Sequence, residues 1–95
     1  MAASIEDITI NYEENDVLLV KELDKQVLTK GAWTTIIFKY QQWEPAKESY
    51  SQIRFTIRRY RKIRGQYMQQ SKFNISSIDQ AKKIIESLER WIEEE

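Results

Sequence analysis

The chain contains no cysteine and no histidine. The first absence removes the disulfide framework that small secreted domains commonly rely on and leads us to expect an intracellular protein, cytoplasmic or nucleoid-associated. Together the two absences remove Ser-His and Cys-His nucleophile pairs and any soft-ligand metal site, so neither metal nor cofactor is expected. Glycine occurs twice and proline once in 95 residues. Gly31 and Gly65 stand alone, so there is no glycine loop to cradle a phosphate, and no Pro- or Gly-rich linker divides the chain into domains. Long apolar runs are missing as well. Val17 to Val20 and Ile36 to Phe38 fall far short of the roughly 20 residues a membrane helix needs, and the opening Met1-Ala2-Ala3-Ser4-Ile5-Glu6-Asp7 has no basic flank and no signal-like apolar stretch. Carboxylates are plentiful, yet none sits at a spacing or in an apolar context that suggests general acid–base work. A binding protein is expected, not an enzyme.

What the chain lacks most tellingly is acid in one window. Lysine plus arginine and aspartate plus glutamate number 15 each, giving zero net charge. Residues 49 to 78 nevertheless contain no acid and seven bases, Arg54, Arg58, Arg59, Arg61, Lys62, Arg64 and Lys72. Residues 1 to 48 are correspondingly acidic, with nine acids against five bases. Such segregation concentrates positive potential on one element.

The periodicities give the elements. Ser76-Ser77-Ile78-Asp79 supplies a hydroxyl N-cap and an acid for a first helical turn. After it Ile78, Ala81, Ile84, Ile85, Leu88, Trp91 and Ile92 recur at helical spacing, with Lys82, Lys83, Glu86, Glu89 and Arg90 on the other face. The region before the helix is rich in β-branched and aromatic residues and reads as strands: Ile8 to Tyr12, Val17 to Leu23, Trp33 to Trp43, Tyr50 to Ile63, and a short last strand Lys72 to Ile75. Gly65 to Gln70 reads as a polar loop. A rival reading has Asn15 or Asp16 cap a short helix over residues 17 to 28. The division expected is an N-terminal extension over 1–14 with a possible extra strand, and a nucleic-acid-binding domain over 15–95.

As a strand, residues 53 to 64 place Arg54, Thr56, Arg58, Tyr60, Lys62 and Arg64 on one face, and Ile53, Phe55, Ile57, Arg59, Arg61 and Ile63 on the other. Same-face residues stand about 6 to 7 Å apart, which suits a basic ladder tracking the phosphates of a single nucleic-acid strand. Tyr50, Tyr60 and Trp43 offer rings for unstacked bases. The bland alternative is a solvated strand face whose arginines reach Glu13, Glu14, Asp16, Glu44 and Glu48. Weighed as core or ligand contact, Trp33, Trp43, Phe38, Phe55, Phe73 and Trp91 are expected in a core or an interface. The candidate nucleic-acid contacts are Lys39, Tyr50, Arg54, Arg58, Tyr60, Lys62, Arg64 and Lys72. A broad helix face of Ile85, Leu88, Trp91 and Ile92 suggests a homodimer interface.

Phe55-Thr56-Ile57-Arg58-Arg59-Tyr60, followed by a basic glycine-containing loop, Lys72-Phe73-Asn74-Ile75 and a helix, resembles the transcriptional coactivator family of positive cofactor four. Lys30-Gly31-Ala32-Trp33 and Trp43 are similar to its bacterial-type relatives, and the resemblance covers residues 15 to 92. It implies a sequence-tolerant single-stranded DNA-binding dimer that regulates transcription. The implied fold is a curved four-stranded antiparallel sheet with one helix, compatible with the fold expected from the residues: α+β, a curved antiparallel sheet of four or five strands, Ile8 to Tyr12 being the extra one, followed by one C-terminal amphipathic helix. It also implies that Arg58 and Lys72 contact DNA, with Tyr50 near an upstream aromatic. Three positions depart from the family: Arg59 replaces a usual acid, Arg61 an aromatic and Phe73 a glycine. The competing function is a protein-interaction domain whose basic strand meets an acidic partner. RNA is a further candidate ligand.

Overall fold

The computed structural model describes residues 2–95. A 3-10 helix over Ile5–Asp7 is followed by six strands and one helix: β1 Tyr12–Glu14, β2 Val17–Thr29, β3 Trp33–Glu44, β4 Ser49–Tyr50, β5 Arg54–Ile63, β6 Gln66–Ile75 and α1 Ile78–Glu93. The strands form one curved antiparallel sheet in the order β1-β2-β3-β5-β6, with β4 paired to β3.

Local chemistry explains where the expected boundaries move. Asn15 and Asp16 both have left-handed backbones, with φ of 52° and 65°. Such a pair closes a two-residue hairpin whose twist matches its strands, so these residues join β1 to β2 and cap no helix. Arg64 and Gly65, at φ 51° and 79°, close the β5–β6 hairpin in the same manner. The expected loop over Gly65 to Gln70 is therefore strand from Gln66 onward. Its glutamines are tolerated because β6 lies at the end of the sheet order, where most of its side chains meet water. β2 runs past Leu23 because Leu23 and Leu28 are each an extra residue in the ladder with β3, and each bulge restores the alternation that the sequence breaks.

The core occupies one face of the sheet, here called inner. Thr34, Ile36, Phe38 and Thr56 are fully buried there, joined by Tyr40 and Tyr60. The expected strand Ile8 to Tyr12 is only realised at its end. Residues 8–11 make no ladder, and instead Ile8 and Ile10 are buried against Ile36, Phe38, Tyr40 and Tyr60. The N-terminal segment is thus a strap over the inner face. Lys25 fastens it by donating from Nζ to the carbonyls of Ile8 at 2.5 Å and Glu6 at 3.0 Å. The Glu22 carboxylate accepts from Thr9 Oγ1 at 2.8 Å and from the Ile10 N–H at 3.2 Å.

The helix begins where its cap predicts. Ser77 Oγ accepts from the Gln80 N–H at 3.0 Å, while Gln80 Oε1 reaches back to the Ser76 N–H at 2.6 Å, a reciprocal arrangement like a capping box. α1 packs only lightly, against β6, and buries none of its residues fully. The Cα radius of gyration is 15.3 Å, against about 12 Å for a compact chain of this length.

Candidate nucleic-acid interface

The basic strand is β5, and its register fixes what each base meets. Across the inner face Arg54 lies opposite Tyr40, Thr56 between Phe38 and Asn74, Arg58 between Ile36 and Lys72, and Tyr60 between Thr34 and Gln69. The ladder expected on this face is interrupted. Thr56 and Tyr60 belong to the core, and Arg58 is half-buried. Neutral groups hold Arg58: Nη1 donates to Gln69 Oε1 at 2.8 Å and Nε to Thr56 Oγ1 at 3.3 Å, and Thr56 in turn donates to Asn74 Oδ1 at 2.7 Å. Arg54 donates to Gln42 Oε1 at 3.2 Å. It opens on a cleft of about 530 Å³ lined by Tyr40, Gln42, Asn74 and the first turn of α1. Lys62 and Arg64 follow at the far end, with Lys62 Nζ 5.5 Å above the Tyr67 ring. Lys39 sits elsewhere, on the outer face opposite Asp24 and Phe55, and the structure does not bring it to the ladder.

Among the described residues the ion pairs are Lys47–Glu44 and Lys83–Glu86, both solvent-exposed. None of the seven bases of the acid-free window takes part. The candidate acids gather at one end of the sheet, where Arg54 begins β5, and away from Arg59, Arg61, Lys62 and Arg64. Glu13, Glu14 and Asp16 surround the β1–β2 turn, and Glu44 and Glu48 flank the β3–β4 turn at the same end. At the other end the Lys30-Gly31-Ala32 connection meets the Arg64-Gly65 turn, tied by a Lys62 N–H to Ala32 O bond of 2.8 Å. The 12 residues of β3 separate the two ends, a distance of roughly 36 to 40 Å at strand rise. The Debye length at physiological salt is about 8 Å, so the acidic end hardly screens the basic one.

The rings expected to stack on bases are engaged in the fold. Tyr60 is 6% exposed, under the strap. Burial raises its phenol pKa above the ordinary value, with Glu22 adding to the rise and Arg58 opposing it. It is a packing residue because it shares the face of Ile36 and Phe38, which the core claims. Tyr50 donates its hydroxyl to Leu18 O at 2.8 Å and meets Trp43 edge to face at 5.2 Å. Trp33, by contrast, expected in a core or an interface, is not part of this core and is 39% exposed on the outer face. The Arg59 guanidinium lies 4.2 Å and that of Arg61 5.3 Å from its ring centroid. Sequence alternation puts Arg59 and Arg61 together, but only the β3–β5 register brings Trp33 to them.

The helix face of Ile85, Leu88, Trp91 and Ile92 is 50–67% exposed, uncovered by its own sheet. No helix among the described residues is long and apolar enough to cross a membrane. The chain matches no protein-family model, no curated protein and no solved structure.

Proposed function

We propose that this chain is a sequence-tolerant single-stranded nucleic-acid-binding module, with single-stranded DNA as its principal ligand and a coactivator-like role in transcription. The observation that carries this reading is the set of seven bases on β5, its turn and β6, none in an ion pair among the described residues, with the candidate counter-acids gathered at one end of the sheet, the end away from Arg59, Arg61, Lys62 and Arg64. A solvated structural face ordinarily mixes signs, because clustered like charges repel one another. An anion that neutralises them recovers that energy and releases counterions. Arg54, Arg58, Lys62, Arg64 and Lys72 supply the phosphate contacts. The motif likeness to the positive cofactor four family supports the same assignment.

The test is a titration of labelled twenty-nucleotide oligothymidylate, the matching DNA duplex and the matching RNA, at 50 and 200 mM salt. Single strands bind at least about tenfold tighter than duplex, because a stacked base contributes about 1 to 3 kcal/mol that a duplex withholds. Equal binding of duplex overturns the single-strand assignment. Failure to bind any of the three overturns the nucleic-acid reading and leaves an acidic protein as the partner.

We also propose that the working form is a homodimer joined through α1. Ile85, Leu88, Trp91 and Ile92 form an apolar stripe that nothing among the described residues covers, and the protomer is more extended than a self-sufficient domain. A second copy fits better than a partner of one charge sign, because Lys82, Lys83, Glu86, Glu89 and Arg90 flank the stripe with both signs, as a self-complementary two-fold contact requires.

A further inference from the structure

The outer face carries, at the basic end of the sheet, an indole flanked by two guanidinium groups that the inner-face phosphate contacts do not use. Trp33 opens β3 directly opposite Arg61 of β5, and Arg59 stands one outward position further along. Both guanidinium groups lie over the indole, Arg59 the closer at 4.2 Å. Among the described residues neither is in an ion pair, and Lys30, Lys62 and Arg64 occupy the adjoining turns and strand end. The loop that presents Trp33 is well anchored. Thr34 Oγ1 donates to Gly31 O at 3.0 Å, the Tyr67 hydroxyl donates to the same oxygen at 3.4 Å, and the Lys62 N–H holds Ala32 O. A large indole left two-fifths open on a rigid, wholly basic platform is poorly explained by packing.

We propose that Trp33, Arg59 and Arg61 form the base-stacking site of the module. The inference rests on the single-strand reading above and names the ring that the reading needs, since Tyr60 and Tyr50 are engaged in the fold. An indole with two guanidinium groups within 5.3 Å of its ring centre offers a nucleobase two kinds of flat group to stack on, because bases stack on aromatic rings and on arginine planes alike. The site favours nucleic acid over an acidic peptide because a carboxylate chain has no flat ring to add to the stack. The strand crosses the Arg64-Gly65 tip, with Lys62 on the inner side and Arg61 on the outer side of the same hairpin.

The experiment compares twenty-nucleotide oligothymidylate with an abasic oligomer of the same length, which keeps the phosphates and lacks the bases. Fluorescence anisotropy is read at 50 and 200 mM salt, the two strands being compared at the same salt, with circular dichroism confirming that each variant is folded. The parent binds the thymidylate about tenfold more tightly than the abasic strand. Trp33→Ala brings the ratio close to one with the salt slope unchanged, and Trp33→Phe restores most of it. Arg59→Gln, at an exposed position that leaves the indole in place, also lowers the ratio, which guards against misfolding of the tryptophan variant. If the parent prefers thymidylate and Trp33→Ala keeps that preference, the proposal is overturned. If the parent binds both strands equally, stacking is absent and the proposal fails while the phosphate reading stands. If the parent binds neither strand, the nucleic-acid reading itself fails, and this proposal with it.

Discussion

Arg58 and Lys72 face each other directly across β5 and β6, so they test electrostatics in two directions at once. Each phosphate contact to a single strand contributes about 0.7 to the slope of log affinity against log salt. If all of Arg54, Arg58, Lys62, Arg64 and Lys72 make such contacts, the parent slope is about −3.5, and affinity falls roughly a hundredfold between 50 and 200 mM salt. Lys72→Gln lowers the slope to about −2.8 and the loss over that range to roughly fiftyfold; adding Arg58→Gln brings these to about −2.1 and twentyfold. The folded protein responds in the opposite sense. Like charges directly opposite on a sheet are destabilising, so Lys72→Gln, which removes no hydrogen bond found in the structure, stabilises the free protein by about 0.2 to 1 kcal/mol. Arg58→Gln gives up its bonds to Gln69 and Thr56, which offset that gain. Anisotropy titrations with oligothymidylate measure the slopes and urea denaturation the stabilities. Unchanged slopes in both variants, or a destabilised Lys72→Gln protein, would refute the reasoning.

Two further expectations concern the fold and its assembly. The Tyr60 phenol is held above its ordinary pKa by burial, so the folded state keeps a proton that the unfolded chain gives up at about pH 10. Its contribution is complete below that pH and declines as pH rises through the folded pKa, by at most about 1.4 kcal/mol per unit. The urea midpoint therefore falls between pH 8 and 10.5, and Tyr60→Phe shows a smaller fall; identical pH profiles would place the loss elsewhere. In the proposed homodimer, Leu88→Asp puts a charge at the centre of the exposed stripe of α1. Light scattering at micromolar concentration then gives a dimer mass for the parent and a monomer mass for the variant, and a monomeric parent removes the assembly proposal.

The parts of the fold written in periodicity were legible. The helix, its Ser77 cap and the strands through Trp33 and Arg58 follow from spacing alone, because each is long or capped by specific side chains. Three features were not legible, each for a physical reason. Leu23 and Leu28 look like breaks in alternation because a bulge is an extra residue whose pairing exists only across to β3. The polar stretch from Gln66 conceals a strand because β6 needs little apolar surface at the end of the sheet. Most consequentially, alternation along β5 cannot say which face the core takes. Phe55 and Ile57 look like the buried side, yet Thr56 and Tyr60 are buried, because Ile36, Phe38 and Tyr40 of β3 share their face and Ile8 and Ile10 cover it. That choice moves Tyr60 from ligand contact to core and leaves Trp33 outside.

Zero net charge is no obstacle to a polyanion once the two ends of the sheet are considered separately. The acids of the β1–β2 and β3–β4 turns and the bases of the Arg64-Gly65 end stand roughly 36 to 40 Å apart along β3. At 0.1 M salt that distance is about four Debye lengths, so the part of a strand held by Lys62 and Arg64 meets an almost purely positive surface. At 0.01 M the Debye length grows to about 30 Å, comparable with the separation, and the acidic end begins to repel the same strand. The plot of log affinity against log salt should accordingly be straight between 50 and 200 mM and bend toward lower affinity than its extrapolation near 10 mM. Neutralising the far end with Glu13→Gln, Glu14→Gln and Asp16→Asn straightens the line at low salt while leaving affinity at 150 mM within about twofold, because those residues are screened there. A triple variant that binds much more tightly at 150 mM would show that the acids lie against the bound strand, and that the two ends of the sheet do not act independently.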